Sequence, residues 1–464
     1  MLAMMTPILV RLHATSRPLL GLVPNAYMPK RQVISWEIEK QKTRTVLKTA
    51  LDNYPRTRAP TPEEELDLIN AVLCLLNLFA VKLPAVKGVK QFHQEIVIHM
   101  PDGDTNTITI NGRAKETRTP APHGPDGEDS AMMDAYSIRD RELTLAAEAD
   151  VTAAAKAIAI GREYKVSRIL TSNGVAPRTL ETADTLRAMH PKRTKELILP
   201  EPTGPQLKTS RAECFKTLMR NAGSIRAPID AMGFSDDALV HDRGQPKEST
   251  LSWYIAILQE LLGEGLAPET VYFLLVSGSL TAINKDTREE TAVRLEAQLE
   301  RRLRPVNSGS GILKTPLRVA LQQDEAVRAL DELLPLQMSS GVSAGPQLTV
   351  YLARLLYEGG HFLSLQDAMN AFNALLRQAA LDATKELWPE STLLINKVYG
   401  PKAPCLYIYK DDDGNTHVAI MLSEEGSRMG CVMGGTIFNI TMHVRVYRQL
   451  INDQVPHDRT ARTH

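Results

Sequence analysis

The sequence predicts an α+β protein, in which a helical N-terminal region precedes a C-terminal region that contains β-strands. Three observations predict this class. Aromatic residues make up only 5% of the chain, which favours helices over a large β-sandwich. Helix-forming stretches recur between residues 61 and 262. Near the C-terminus, two strand-like segments flank an Asp-Gly step, a pattern typical of a β-hairpin.

The bulk composition is that of a globular protein with more than one domain. At 464 residues the chain is too long for one ordinary core, so two or three domains are expected. Lys+Arg and Asp+Glu both number 54, and this balance neither indicates nor excludes a nucleic-acid partner. The cysteines form no C-x-x-C pair, which argues against a zinc knuckle or a disulfide framework and favours a reducing, intracellular compartment, nuclear or cytoplasmic. They are Cys74, Cys214, Cys405 and Cys431.

The N-terminal residues 1–60 are predicted to be a leader. The first 36 residues contain no acidic residue and several basic ones, which is typical both of a transit peptide and of an unstructured segment. The longest apolar run, Ala71–Val81, is too short to span a bilayer, so the sequence predicts a buried helix there and no membrane association.

Local signals define the elements that follow. Thr61-Pro-Glu-Glu64 is typical of a helix start with a capping box, and the helix is expected to reach about Val81. Residues 101–135 are rich in Asp, Gly, Pro and Thr and are predicted to be a disordered linker, preceded by one small strand, Thr107–Ile110. Further helices are expected at Ala153–Gly161, Thr179–Met189, Ser210–Asn221 and Leu251–Leu262.

Further strands are expected after residue 272. Phe273–Ile283 has the pattern of a helix end that leads into a strand. Cys405–Lys410 and Thr416–Leu422 are expected to pair as a hairpin across Asp411-Asp-Asp-Gly-Asn415. Residues 361–366 are predicted to be a strand, and Asn370–Leu381 a helix. Asp367 lies at the corner between them, where a carboxylate either holds a hard cation near a phosphate or caps the helix.

One extended motif suggests a family. Asp367-Ala-Met-Asn-Ala-Phe-Asn373, followed by Arg377, resembles the first catalytic motif of reverse transcriptases of non-LTR retrotransposons. Leu280-Thr-Ala-Ile-Asn-Lys285 and Arg304-Pro-Val306 are similar to the family's first fingers strand and its Arg-Pro-Ile element. Gly161–Pro191 is similar to the helical leader of protist members. The resemblance covers roughly residues 60–464.

Two further segments match with substitutions. Gln337–Gly345 is similar to Gln-x-Gly-Val-Gly-x-x-Gly-Gly, with Ser339 and Ala344 in place of two glycines. Ser423–Gly430 is similar to the motif Ser-x-x-Gly-x-x-Gln-Gly-x-Pro-Leu-Gly, and Gly434 and Phe438 also fit. Three residues depart from that motif: Met429 stands for Gln, Cys431 for Asp and Val432 for Pro. These departures argue against tight nucleotide binding.

The resemblance implies a role for each matching residue. Asp367 would be a catalytic carboxylate and a ligand of Mg²⁺, and Phe372 would lie under the sugar of the incoming nucleotide. Lys285 and Arg304 would hold the triphosphate and the template. The glycines Gly426 and Gly430 would let backbone approach template and nucleotide. The implied partners are an RNA template, a DNA primer and a dNTP.

Each role has a simpler structural alternative. A Lys or an Arg on a strand is often only solvated, Gln337–Gly345 is also the composition of a flexible loop, and a Phe on a helix face usually packs in the core. The ordered set of motifs favours the family interpretation. It implies a leader (1–60), a helical region (61–206), a fingers-like region (207–345) and a partial palm (346–464).

The family's second palm motif is not found. No aromatic-x-Asp-Asp follows Gly430, although two-metal phosphoryl transfer needs carboxylates from both motifs. The sequence therefore resembles a reverse transcriptase fragment that is truncated before this motif, and we expect no polymerase activity from it alone. The alternative is a non-catalytic helical protein that binds RNA or a protein and retains only the fold. A metal-dependent hydrolase built on Asp367 has no second ligand cluster in its favour.

Overall fold

The fold was analysed in a computed structural model. It describes residues 2, 5–6, 8–10, 30–79, 89–115, 175–222, 250–286, 288–297, 299, 302–338, 342–361, 370–411, 413 and 415–449. These residues form helices around one mixed β-sheet, so the α+β class is confirmed. No helix in the described ranges combines the length and apolarity that a bilayer crossing requires.

The helices are numbered here in chain order. The helices up to residue 276 are α1 (Lys30–Asn53), α2 (Pro62–Phe79), α3 (Leu180–Ala188), α4 (Arg211–Ala222), α5 (Leu251–Gly263) and α6 (Glu269–Val276). Those after residue 276 are α7 (Arg288–Glu296), α8 (Gly311–Ala320), α9 (Asp324–Asp331), α10 (Gly345–Glu358), α11 (Ala371–Ala374), α12 (Arg377–Leu387), α13 (Thr392–Tyr399) and α14 (Gly434–Met442). A π-helical turn, His443–Tyr447, extends α14.

Six strands form the sheet in the order β2-β1-β6-β5-β3-β4. The strands are β1 (Val89–His99), β2 (Thr105–Lys115), β3 (Gly278–Asn284), β4 (Leu303–Gly309), β5 (Ala403–Lys410) and β6 (Thr416–Ser423). The pairs β1–β2, β3–β4 and β5–β6 are antiparallel. Parallel contacts of β1 with β6 and of β3 with β5 join the three pairs. Four predicted strand segments therefore share one sheet: Thr107–Ile110, Phe273–Ile283, Cys405–Lys410 and Thr416–Leu422.

Alternating side chains cover both faces of the sheet. On β5, Leu406 is buried on the face against α6, whereas its neighbours Cys405 and Tyr407 are buried on the opposite face against α3. This period of two is the normal consequence of the strand pleat. A larger helical core surrounds Trp388 and joins apolar residues of α1, α2, α5, α6, α8, α12, α13 and α14. The sheet is thus enclosed and holds its loops in defined positions.

Several local predictions are confirmed. Thr61 and Glu64 form the predicted capping box: the Thr61 N–H donates to Glu64 Oε2 (2.8 Å) and the Glu64 N–H to Thr61 Oγ1 (3.3 Å). The expected helices appear as α3, α4 and α5, and the helix-to-strand transition as α6 and β3. The hairpin pairs Lys410 with Thr416 around the Asp-Gly turn. All of these features depend on residues close in sequence.

Other predictions are corrected. The strand expected at Thr107–Ile110 extends to Thr105–Lys115, and part of the predicted linker therefore lies in the sheet. Its partner β1 and the helix α1 within the predicted leader were not expected. The helix expected at Asn370–Leu381 is interrupted and becomes α11 and α12. The interruption has a physical cause: the Leu375 carbonyl accepts the Gly426 N–H (2.8 Å) instead of an intrahelical bond.

Some predicted elements cannot be compared. Residues 362–366 of the predicted strand, the predicted helix Ala153–Gly161 and most of the leader motif Gly161–Pro191 lie outside the described residues.

Candidate functional site

Asp367, the predicted catalytic carboxylate, lies outside the described residues. Within the described ranges no group of three or more His, Cys, Asp and Glu side chains could hold a metal ion. The Mg²⁺ that the resemblance implies therefore stays a prediction, and the contacts of the described residues do not depend on it.

Asp411, the first carboxylate of the hairpin turn, is engaged in local structure. Asp411 accepts hydrogen bonds from the Asn415 backbone N–H (2.7 Å) and from Asn415 Nδ2 (3.0 Å). It also bonds His417 Nε2 at 2.9 Å. These bonds, led by the one to His417, lower the pKa of Asp411 to about 2. Asp411 thus stabilises the turn.

Arg377 organises the loop Ser423–Gly430, which we call the glycine loop. The Arg377 side chain is fully buried at the N-terminus of α12. Its guanidinium donates to the Ser423 carbonyl (2.9 Å), to Ser423 Oγ (2.9 Å) and to the carbonyls of Glu425 (2.7 Å), Gly426 (3.2 Å) and Tyr399 (3.2 Å). The five N–H donors of an Arg suit such a set of acceptors. Arg377 was expected only as part of the motif, and its burial was not.

A second arginine lies next to the first. The guanidinium carbons of Arg377 and Arg428 lie 5.8 Å and 4.6 Å from the ring centre of Tyr399. Burial and the charge of Arg428 lower the pKa of Arg377 to about 9, so the guanidinium stays charged at neutral pH. Burial raises the pKa of Tyr399 well above its usual value, and its hydroxyl donates to the Ser427 carbonyl (3.2 Å). Tyr399 lies outside the matching motifs, and Arg428 lies within Ser423–Gly430 at a position to which no role was assigned.

Gly426 is required by close packing within the chain. Its φ is +74°, and a Cβ there would stand 2.3 Å from the Phe372 carbonyl oxygen and 2.5 Å from Asn373 Cα. The Ser427 N–H donates to the same Phe372 carbonyl (2.7 Å). The space that the missing side chain leaves is therefore filled by the chain's own backbone at α11.

Gly430 has the same role on the other side of the loop. Its φ is +100°, and a Cβ there would stand 2.3 Å from the Asn307 carbonyl oxygen on β4. The Asn307 N–H donates to the Met429 carbonyl (2.8 Å). The glycine loop therefore joins β4, which carries the Arg-Pro element, to α11 and α12, which carry the Asn-Ala-Phe-Asn element.

Phe372 is half-buried and contacts another aromatic residue. Its ring stacks on Phe438 of α14, with ring centres 5.1 Å apart. On the other side of α11, the Nδ2 atoms of Asn370 and Asn373 donate to the Met189 carbonyl, at 2.8 Å and 3.4 Å. Met189 is the C-cap of α3, which belongs to the predicted leader motif. Phe372 thus packs against a second half-buried aromatic ring, and its role under the sugar of a nucleotide stays a prediction.

Lys285 and Arg304 lie at the far end of the β3–β4 pair. Lys285 follows β3 and is half-buried, and its backbone N–H donates to the Arg302 carbonyl (2.8 Å). Arg304 is exposed on the edge strand β4, opposite Ile283. It is three residues from Asn307, or about 10 Å along the strand. The two predicted cationic residues are therefore close to each other and separate from the glycine loop.

Comparison with known proteins identifies no relative of this chain. No protein-family model, no curated protein and no solved structure matches the chain.

Proposed function

We propose that the protein is a nucleic-acid-binding protein of the reverse transcriptase type, which binds RNA and by itself does not extend a primer. The fold class and the resemblance motifs support the first part of this proposal. The lack of an aromatic-x-Asp-Asp motif after Gly430 supports the second.

One observation carries the proposal. Motifs that are far apart in the sequence meet at the glycine loop, where Gly430 contacts β4 at Asn307 and Gly426 contacts α11 at Phe372. An accidental match of short motifs has no physical reason to bring them together. Their convergence supports a common framework, in which the β3–β4 pair has the place of fingers and α11 and α12 have the place of a palm.

The charge on the β3–β4 pair suits a polyanion. Arg304 is exposed at the edge of the sheet, and Lys285 lies on the adjacent strand end. Guanidinium and ammonium groups bind phosphates with charge-assisted hydrogen bonds, and each phosphate contact adds to the salt dependence of binding. Since the net charge of the chain is zero, binding must depend on such local groups.

RNA binding tests the first part. We expect fluorescence anisotropy to detect binding of a single-stranded RNA that weakens as KCl increases. In Arg304→Ala the slope of log K against log salt should fall by about 0.7, the value for one phosphate contact of a single strand. The matched control is Arg354→Ala on α10, where the side chain is 76% exposed and pairs only with Glu358. Equal slopes in both variants, or no binding at low salt, would contradict the proposal.

Primer extension tests the second part. We expect no dNTP incorporation on an RNA template with an annealed DNA primer and Mg²⁺, because one carboxylate motif does not complete a two-metal site. The variant Asp367→Ala serves as the control. Incorporation by the unaltered chain that disappears in Asp367→Ala would overturn this part and leave the RNA-binding part standing.

A further inference from the structure

A cavity next to the glycine loop has the features of an anion site. It is small, with a volume of about 30 Å³, and it is partly open to solvent. Its polar and glycine lining is contributed by Asn307, Gly309, Ser310, Lys314, Arg428 and Gly430. Arg304 and Lys285 do not line it, so it is separate from the proposed RNA contact.

Arg428 is the unusual residue of this cavity. It is 5% exposed, and its φ of +39° is rare for a residue other than glycine. Its Nη2 donates to the carbonyl of Val398, which also lines the cavity (3.0 Å). Its Nη1 is buried and has no hydrogen-bond partner among the described residues. A buried charged donor without a partner is costly, and a strained backbone often marks a binding site.

The N-terminus of α8 forms the opposite wall. Ser310 caps this ten-residue helix, since its Oγ accepts the Ile312 N–H (3.2 Å). Ser310 and Lys314, on the first turn, both line the cavity. The N-terminal end of a helix dipole favours negative charge, and a Lys on the same turn adds to that field.

The charged side chains at the glycine loop also favour an anion, because the cationic ones outnumber the carboxylates. Four cationic side chains, Arg193, Arg377, Lys402 and Arg428, meet at the glycine loop with two carboxylates, Glu424 and Glu425. Glu424 already pairs with Lys402 at 2.8 Å, and Glu425 accepts the backbone N–H of Arg377 (2.6 Å). Arg377 and Arg428 are the two buried cations of this group, and buried positive charge raises the free energy of the folded state, which a bound anion lowers.

We propose that this cavity binds a phosphate group of a small molecule, held by Arg428 Nη1, Lys314 and the N-terminal end of α8. A phosphate offers several acceptor oxygens to these donors and carries the charge that offsets the surplus of arginines. Lys285 and Arg304, the cationic residues of the proposed RNA contact, do not line the cavity. The phosphate site therefore does not depend on that contact.

The test uses variants that preserve the fold. Gly309 lines the cavity, and a Cβ built there meets no atom within 4 Å, so Gly309→Asp adds a carboxylate without a clash. Lys314→Gln removes one charge and keeps most of the side-chain volume. Gly435→Asp is the matched control, because a Cβ at Gly435 also meets nothing within 4 Å and Gly435 does not line the cavity.

Inorganic phosphate is the first probe, and its affinity is measured by calorimetry and by the rise of Tm with phosphate concentration. We expect the wild type and Gly435→Asp to bind alike. Gly309→Asp and Lys314→Gln should each weaken binding about tenfold or more, as expected for loss of one charge-assisted contact. The general stabilising effect of phosphate as a salt is the same in all variants. Equal affinity of Gly309→Asp and wild type, or no binding by the wild type, overturns the site.

A nucleoside triphosphate is the second probe and identifies the source of the phosphate. Tighter binding than inorganic phosphate that is lost in Gly309→Asp identifies a nucleotide, and equal binding identifies free phosphate; both results support the site. Binding of the triphosphate that is unchanged in Gly309→Asp overturns it. RNA binding should be the same in Gly309→Asp and Gly435→Asp, which separates this inference from the proposed function.

Discussion

Helices α10 and α12 differ in a way that apolar content does not explain. α12 (Arg377–Leu387) buries six of its residues: Arg377, Ala380, Leu381, Ala383, Thr384 and Leu387. α10 (Gly345–Glu358) is longer and richer in large apolar residues, yet only Gly345 is buried. Its exposed apolar side chains are Leu348, Val350, Tyr351, Leu355 and Tyr357. Apolar composition alone therefore does not predict which helix lies in the core.

Polar anchoring explains the difference. The side chain at the start of α12 donates to carbonyls of β6, of the glycine loop and of α13, and these bonds hold the helix against the sheet. Neither helix has a side-chain N-cap, so the buried Arg377 side chain is what distinguishes the start of α12 from that of α10, whose N-cap Ala344 has φ +55°. Because a buried Arg and its acceptors are costly to separate, the anchored helix is held in one position.

The strongest test of this comparison is removal of the anchor. Arg377→Ala leaves five or more buried acceptors without a donor, and we expect it to lower the free energy of unfolding by about 4 kcal/mol. Arg377→Lys, with fewer donors, should recover part of this loss. Urea denaturation followed by circular dichroism measures both.

The control for the anchor lies on the exposed helix. Arg354→Ala removes an exposed ion pair with Glu358 and should change the free energy of unfolding by less than about 0.5 kcal/mol. A similar loss in Arg354→Ala and Arg377→Ala would show that anchoring is not what distinguishes the two helices.

A pair of glycines tests the role of crowding. Gly426 beside α12 and Gly360 after α10 both have positive φ, +74° and +85°, but only Gly426 has backbone atoms where a Cβ would stand. Gly360→Ala should cost about 1 kcal/mol for the backbone conformation alone. Gly426→Ala should cost about 3 kcal/mol, because the Phe372 carbonyl must also move. Thermal unfolding of the two variants at equal salt measures the difference between their losses of stability. Equal losses would mean that the glycine loop moves away from the Phe372 carbonyl at no cost.

The smallest expected effect is a pH dependence of stability that comes from a pair of histidines. His99 Nε2 and His417 Nδ1 are 2.9 Å apart where β1 lies beside β6, with Tyr409, Arg187 and Asp184 around His99 and Asp411 on His417. Burial, followed by the charge of His417, lowers the pKa of His99 below 6.5. The unfolded chain therefore binds more protons, and stability is lost as pH falls from 6.5 towards the lower pKa of the folded state.

Hydrogen exchange measures this effect. Protection factors of β1 amides should fall as the pH is lowered through this range, whereas those of α10, which contains no histidine, should not. His99→Asn should remove the pH response of β1. A response that persists in this variant would assign it to another group.

Some local features of the fold were predictable from the sequence, and others were not. The capping box at Thr61 and Glu64 and the hairpin at Lys410 and Thr416 were predictable, because their partners are within six residues. Strand β1 was missed although its hairpin partner β2 is close in sequence, with His99 opposite Thr105, because the polar residues from Lys90 to Glu95 interrupt the apolar alternation of a strand. The break before Arg377 was also missed, because the Gly426 N–H that replaces the helical bond comes from a distant loop.

The candidate site also combines positions that the sequence identified with contacts that it did not predict. The motif comparison identified Gly426, Gly430, Phe372 and Arg377 as special positions, but it assigned the glycines to ligand contact and Phe372 to a nucleotide. The structure shows the chain's own backbone in the glycine spaces and Phe438 against Phe372. The cavity at Ser310 had no signal in the sequence, and Arg428 occupies a position of the Ser423–Gly430 motif to which no role was assigned.

Three features followed from the sequence alone: the α+β class, the local caps and turns, and the special status of the glycines Gly426 and Gly430. These features depend on short-range hydrogen bonds and on backbone sterics, which act between near neighbours. Only the tertiary structure decided that β1 joins β6, that Arg377 is buried and that two arginines meet at Tyr399. Those arrangements depend on burial and on charges brought together from distant segments, and residue type alone carries no information about distance in space.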